Sequence, residues 1–424
     1  MDNIIKRSEI ANGVYFSCYN DSKFKLNRID VVFMDTLHKE RASLNALIPA
    51  ILSRSSNNYR TMRELNKKLS ELYSANLGDY ASKSGDMEYF GLYSTSLDDA
   101  YALDGESTLE EIVDLLKDCL FNPYLENGVF PEKNVEIQKQ NLIDDNNNEI
   151  NDKALYTSRK GHAVAYENEP AAISVYGEND VISKITPAQA YEHYLRILET
   201  KNVEIICVGP GDFSIVKDIL GKAFASIKRN PEPIPVNTPS RLKDNVRHVT
   251  EKMDVAQSKL FLAFKTELEN RYPFFVMSNL FGGDVSSKLF SVVREKLSLC
   301  YYCYSHAGAG KRIMTVECGV EKENIEKATN AILEQLEEIR KGNFTDEDIM
   351  KTKLSDSNSL RAITDRVSGI SRWHLNCLTN GFSGMPEDEI ELKNAVTREE
   401  IIEAAKSVKL DTVFVLTSEE AEAE

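Results

Sequence analysis

Arg294 and Tyr301 are the two residues whose types and spacing most plainly offer chemistry. A Gly282–Gly283 turn and a Ser286–Ser287 pair precede them, and serines there mark the start of a helix. Leu289, Val292, Val293 and Leu297 predict an apolar stripe on a helix over residues 288–297, with Arg294 beside it near the C-terminal end. Tyr301 falls at the start of the next strand. A helix-borne guanidinium and a strand-borne phenol can converge on one cavity wall. Such a pair suits a peptide, because arginine grips carbonyls or carboxylates and a tyrosine hydroxyl can donate to a developing oxyanion. The same spacing also fits a solvated Arg294 paired with Glu295 and a packed Tyr301, and both readings stand at this level.

Other motifs point to less. The histidines are His38, His162, His193, His248, His306 and His374, and no two lie four residues apart, so no helix face carries the pair a zinc hydrolase uses. His248 with Glu251 comes nearest, but Lys252 stands where the second ligand belongs. Cys300 and Cys303 form a Cys-x-x-Cys in an expected strand. Positions i and i+3 of a strand point to opposite faces, which predicts buried, reduced thiols rather than a metal or redox pair. Gly308, Gly310 and Lys311 lack the earlier glycine and the following Ser or Thr of a phosphate loop, so they predict a turn between strands. Trp373 and His374 are expected as a packed pair, and Asp144 and Asp145 on a solvated face.

The elements that must position these residues read as an α+β pattern. Strands are expected at residues 14–18, 29–33, 77–80, 89–97 and 203–209, with helices at 44–52, 62–73, 108–120, from 132 through the 160s, 187–198 and 212–225. Between Asn230 and Pro239 stand four prolines, which fix φ and remove donors, so this stretch reads as extended linker. After it the order repeats: strand 260–264, helix 272–280, helix 288–297, strands 299–305 and 314–319, a helix with Ile325, Ala328, Ile332, Leu336 and Ile339 on one face, and a last strand at 412–416. Thr345 and Asp348 approximate a capping box for one more helix. Two halves of about 200 residues in the same order imply a duplicated domain, each half an antiparallel-rich mixed sheet packed with helices. The expected division is 1–228, a linker at 229–245, and 246–424.

The segment Gly282, Gly283, Ser286, Ser287, Lys288, Leu289, Phe290, Val293, Arg294, Glu295, Leu299 and Tyr301 resembles the second-half motif of the insulinase (pitrilysin-type) peptidases, which include mitochondrial processing peptidase. The resemblance implies that Gly282, Gly283, Ser286, Arg294 and Tyr301 contact substrate. In that family zinc sits in the first half, on an inverted His-x-x-Glu-His helix with a further Glu downstream. By register those positions fall here near Ala46, Pro49 and Ala50, and the downstream one near 139–141. None offers a metal ligand, so no metal or cofactor is expected in this chain. The pattern is similar to two-chain members of the family, in which one chain carries zinc and the other keeps the Arg/Tyr pair. It implies a zinc-bearing homologous partner, a peptide substrate, and catalytic assistance by Arg294 and Tyr301 at the partner's site. The alternative is a non-catalytic scaffold or peptide-binding subunit. A homodimer is possible for the isolated chain.

Composition narrows the field. The net charge is −16, from 51 Lys and Arg against 67 Asp and Glu, which argues against nucleic acid as partner. No apolar run of about 18 residues predicts a membrane span, and the N-terminus lacks the apolar core of a secretory leader. Seven scattered cysteines fit a reducing compartment, so a cytoplasmic location is expected. The acidic stretch after Thr417 predicts a frayed tail.

Overall fold

The computed structural model describes residues 5–419. The acidic tail from 420 onward lies outside the described residues. The chain forms two compact units. Unit 1 takes the described residues up to Asn146, then Ile173–Val236 and Ile363–Met385, and unit 2 takes Asn147–Ala172, Asn237–Ala362 and the described residues from Pro386 on. The crossing at Val236 lies inside the proline-rich stretch.

Unit 1 holds β1 (Lys6–Ala11), β2 (Val14–Asn20), β3 (Leu26–Thr36), β4 (Asn76–Ser84), β5 (Met87–Leu97) and β6 (Asn202–Gly209), in the spatial order β1-β2-β6-β3-β5-β4. Unit 2 holds β7 (Arg247–Lys252), β8 (Ser258–Lys265), β9 (Cys300–Gly308), β10 (Ile313–Val320) and β11 (Lys409–Thr417), in the order β7-β11-β8-β10-β9. The two orders superpose strand for strand once β1 is set aside. Pairing directions agree as well: β2 with β6 and β7 with β11 are parallel, and the equivalent remaining pairs are antiparallel. Each unit is thus the antiparallel-rich mixed sheet that the repeated element order implies.

Both faces of each sheet are covered, which is why the central strands read as nearly unbroken apolar runs. In unit 1, Ile29, Val31 and Phe33 of β3 enter the main core with Leu47, Ile48 and Leu116. Their neighbours Val32 and Met34 point to the other face and pack with Ile206, Val208, Ile370 and Leu375. Those last two lie on the helix Val367–Asn380, which comes from the second half of the sequence. Unit 2 mirrors this. Leu260, Leu262 and Phe264 face its main core, while Phe261 and Ala263 pack with Tyr156 and Ala165. Tyr156 and Ala165 belong to the helix Lys153–Ala165, from the first half of the sequence. Gly161 allows that helix its approach: a β-carbon there would stand 2.3 Å from the Phe261 ring.

Three expectations are corrected. The helical run from 132 to the 160s is interrupted at 149–151 by a short 3-10 turn. β1 and β7 are additional strands, polar and edge-placed, which hid them from an apolar-run search. Leu297, assigned to the buried stripe, is 44% exposed, because the segment Leu289–Lys296 is wound as a π-helix and only Leu289 and Val293 reach the core.

Candidate functional site

In unit 2 the helix Arg271–Gly282 ends against β9. A β-carbon on Gly282 would meet the Ser305 backbone nitrogen at 2.6 Å, so glycine there is a requirement of close packing between helix end and strand. Gly283 caps the helix. Asp284 then organises the turn, accepting from the Ser286 amide at 2.8 Å and the Ser286 hydroxyl at 2.7 Å. Gly282 is buried and Ser286 spends its hydroxyl on Asp284, so both shape the loop.

Arg294 and Tyr301 are differently placed. Arg294 is partly exposed, with its guanidinium stacked 4.5 Å from the Phe290 ring centre and its Nε 3.7 Å from Glu295. Tyr301 is 61% exposed, and its hydroxyl donates to Glu321 at 2.9 Å. That carboxylate raises the phenol pKa. Neither side chain belongs to the core. Each rests on a carboxylate of its own unit, contacts that are weak at an exposed surface.

Unit 1 carries the equivalent helix, Ala42–Leu52, and here the expected metal positions are closed. Ala46 is 4% and Ala50 8% exposed, and Pro49 is buried inside the helix. At the downstream position the helix Glu132–Asn148 turns the Lys139 ammonium inward, to the Ile185 carbonyl at 2.9 Å and Glu136 at 2.7 Å. No carboxylate or imidazole stands at any of these positions.

Beside them lies a polar cluster that the sequence reading missed. Asn45, on the same helix, donates to Glu88 at 2.9 Å and Asp35 at 3.3 Å, while its carbonyl oxygen lies 2.7 Å from His193 Nε2. Asp35 also takes a two-point contact from Arg41 at 3.1 Å and an ion pair from buried Lys201 at 2.9 Å. Lys201 continues to Glu232 at 2.6 Å. Burial pushes the Glu88 carboxyl up to about 8, against the Asn45 hydrogen bond, and one of its oxygens has no partner. Burial lowers His193 to about 4. Asp35 stays below the usual carboxylate range despite its burial, because Lys201 and Arg41 face it. The network therefore holds a neutral acid, a neutral imidazole and one compensated ion cluster. The one sequence signal was a set of charged residues at strand ends, Asp35 and Glu88, without visible partners.

The remaining motifs resolve individually. His248 and Glu251 lie on β7, a strand, and Glu251 accepts from the Tyr156 hydroxyl at 2.5 Å. Gly308–Arg312 turns between β9 and β10, with Lys311 buried on Glu169 at 2.7 Å. His374 is buried against Ser17 at 2.9 Å and Glu204 at 3.4 Å, fixing its helix to β2 and β6. Cys300 and Cys303 are free thiols as expected, but they do not face opposite ways: they share a face, and with Cys318 their sulfurs all lie within 4.8 Å of one another. Hydrogen bonds from Cys303 and Cys318, followed by the Arg294 charge, favour the Cys300 thiolate.

Two sheets of one topology, packed with helices, form a duplicated α+β fold of the kind seen in M16-like peptidases. Comparison with known proteins agrees. Residues 184–355 match the family described as "Peptidase M16 inactive domain". The chain is 29% identical over 402 residues, 94% of each protein, to the "probable inactive metalloprotease YmfF" of Bacillus subtilis. It is 20% identical over 363 residues, 78% of this chain and 73% of the relative, to the mitochondrial-processing peptidase subunit beta of Saccharomyces cerevisiae. A crystal structure of a conserved protein from Enterococcus faecalis superposes with a TM-score of 0.89 at 28% identity, covering 99% of this chain and all of that one. The chain is thus similar along most of its length to M16-type proteins, and its residues 184–355 match that family's inactive domain.

Proposed function

We propose that the chain is the zinc-less subunit of a two-chain M16 processing peptidase, lending Arg294 and Tyr301 to a homologous partner that holds the zinc. The observation that carries this reading is the contrast between its two helical sites. The metal positions Ala46, Pro49 and Ala50 are apolar and closed, while Arg294 and Tyr301 stay outside the core with polar ends available. In this reading the partner's zinc supplies the activated water. Arg294 holds a backbone carbonyl or carboxylate of the bound peptide, and Tyr301 donates its phenolic proton toward the carbonyl oxygen as charge develops there. Glu321 orients that phenol in the resting state and must release it when substrate arrives. The work takes place in the cytoplasm.

A second reading, a scaffold or peptide-holding subunit without catalytic part, draws on the same contacts: Arg294 and Tyr301 already have Glu295 and Glu321 as partners. Co-purification tests the pairing that the first reading requires. Mixed with a zinc-motif M16 chain, this chain is expected to form a one-to-one complex. Two chains that elute separately at micromolar concentration sink the two-chain reading.

A further inference from the structure

The β9–β10 hairpin gathers three thiols that neither the sheet nor the Arg/Tyr site requires. In a regular strand Cys300 and Cys303 would face opposite ways. The pairing register shows why they do not: Gly319 opposes Tyr302, and the next residue, Val320, opposes Cys300, skipping Tyr301. That extra residue is a β-bulge, and it resets the pleat so that Cys300 returns to the face of Cys303. Directly across the ladder from Cys303 stands Cys318. The result is three sulfurs within 4.8 Å of one another, from three positions on two paired strands.

A zinc-like ion with metal–sulfur bonds of about 2.3 Å needs sulfur–sulfur separations of about 3.8–4.0 Å, so shifts of less than an ångström close the site. Cys303 and Cys318 are buried at 4% and 0% exposure, and Cys300 is half-buried at the rim. Two ligands thus come from buried positions and the third from a partly buried one. The Arg294 and Lys259 charges bear on Cys300 and Cys318 respectively and offset the negative charge that three thiolates bring together.

We propose that Cys300, Cys303 and Cys318 form a three-thiolate site for a thiophilic d10 metal ion, in the second unit and separate from the family's histidine site. Soft thiolates select zinc and its heavier congeners over magnesium or calcium. On binding, the thiol protons leave to solvent and three metal–sulfur bonds form, with no change of oxidation state. Because Tyr301 is the bulge residue between two of the ligands, the ion also fixes the backbone that presents its phenol.

The test uses the full chain, reduced and metal-free, titrated with cadmium without oxygen. One equivalent is expected to raise thiolate-to-cadmium absorption, and zinc is expected to compete it away. Cys300→Ser, at the tolerant rim position, and Cys318→Ser each lose more than about tenfold in affinity, while Cys18→Ser, at a thiol of unit 1, changes nothing. Circular dichroism confirms that each variant is folded. Absent absorption in the wild-type chain, or equal absorption in folded Cys300→Ser, overturns the site. So does a disulfide between two of the three with no metal uptake after reduction. No peptidase assay enters, so the outcome is independent of the two-chain reading.

Discussion

The helices Ala42–Leu52 and Arg271–Gly282 occupy equivalent places, each following the central strand of its sheet, yet their surroundings have gone opposite ways. Around the first, charged groups turn inward and neutralise one another: Asp35 with Arg41 and Lys201, and Glu88 and His193 on Asn45. Past the second, Arg294 and Tyr301 turn outward and rest on weak surface contacts. The first helix is a packed interior whose neighbouring polar residues pair with one another. The second segment keeps its polar groups at the surface, beside a tightly fitted glycine. The comparison predicts that substitutions in the first region change stability and that substitutions of Arg294 or Tyr301 in the second do not.

The sharpest break comes from Lys201→Met. It strips a buried cation from Asp35 and Glu232, leaving Arg41 as the one cation on Asp35, and is expected to cost about 3–5 kcal/mol in denaturant unfolding. Glu88→Gln tests the same network through pH. The Glu88 pKa is about 8 in the folded chain against an ordinary 4.5, so the native state binds its proton more tightly. That contribution is complete at low pH and declines by about 1.4 kcal/mol per unit as pH rises from the unfolded toward the folded value. Glu88→Gln is expected to flatten thermal stability across that range and to exceed wild type near pH 8. His193 works in reverse. Its folded pKa of about 4 lies below the ordinary 6.5, so its contribution is present above 6.5 and fades as pH falls toward 4.

Gly282→Ala is smaller. Its β-carbon would press on the Ser305 backbone, and about 1–3 kcal/mol is expected, with a shift of the helix end that lowers any activity depending on Arg294. Arg294→Ala and Tyr301→Phe are expected to leave unfolding midpoints within about 0.5 kcal/mol of wild type, as surface changes do. A loss of several kcal/mol from either would place these residues in the fold and erase the contrast.

The central strands and the duplication were legible because apolar runs and their order are local signals. Residues 29–33, 203–209 and 260–264 fall within β3, β6 and β8. Thr345 and Asp348 cap their helix reciprocally, as their spacing implied. What escaped depends on distant partners. Asp35, Asn45, Glu88, His193 and Lys201 are spread over more than a third of the chain, and no spacing rule joins them. The crossing of Lys153–Ala165 and Val367–Asn380 into the opposite units is set by which sheet face lacks cover, a tertiary property. Cys300 and Cys303 were misplaced because alternation assumes an unbroken pleat, and one bulge at Tyr301 reverses it.

The most direct measurement is peptide hydrolysis by this chain alone, by a zinc-motif partner alone, and by the mixture, with Arg294→Ala and Tyr301→Phe each introduced here. The two-chain account predicts activity only in the mixture, falling by about 100-fold or more with either substitution while the complex still forms. Full activity of the partner alone, unchanged by this chain or its variants, would contradict it and leave the chain as a scaffold.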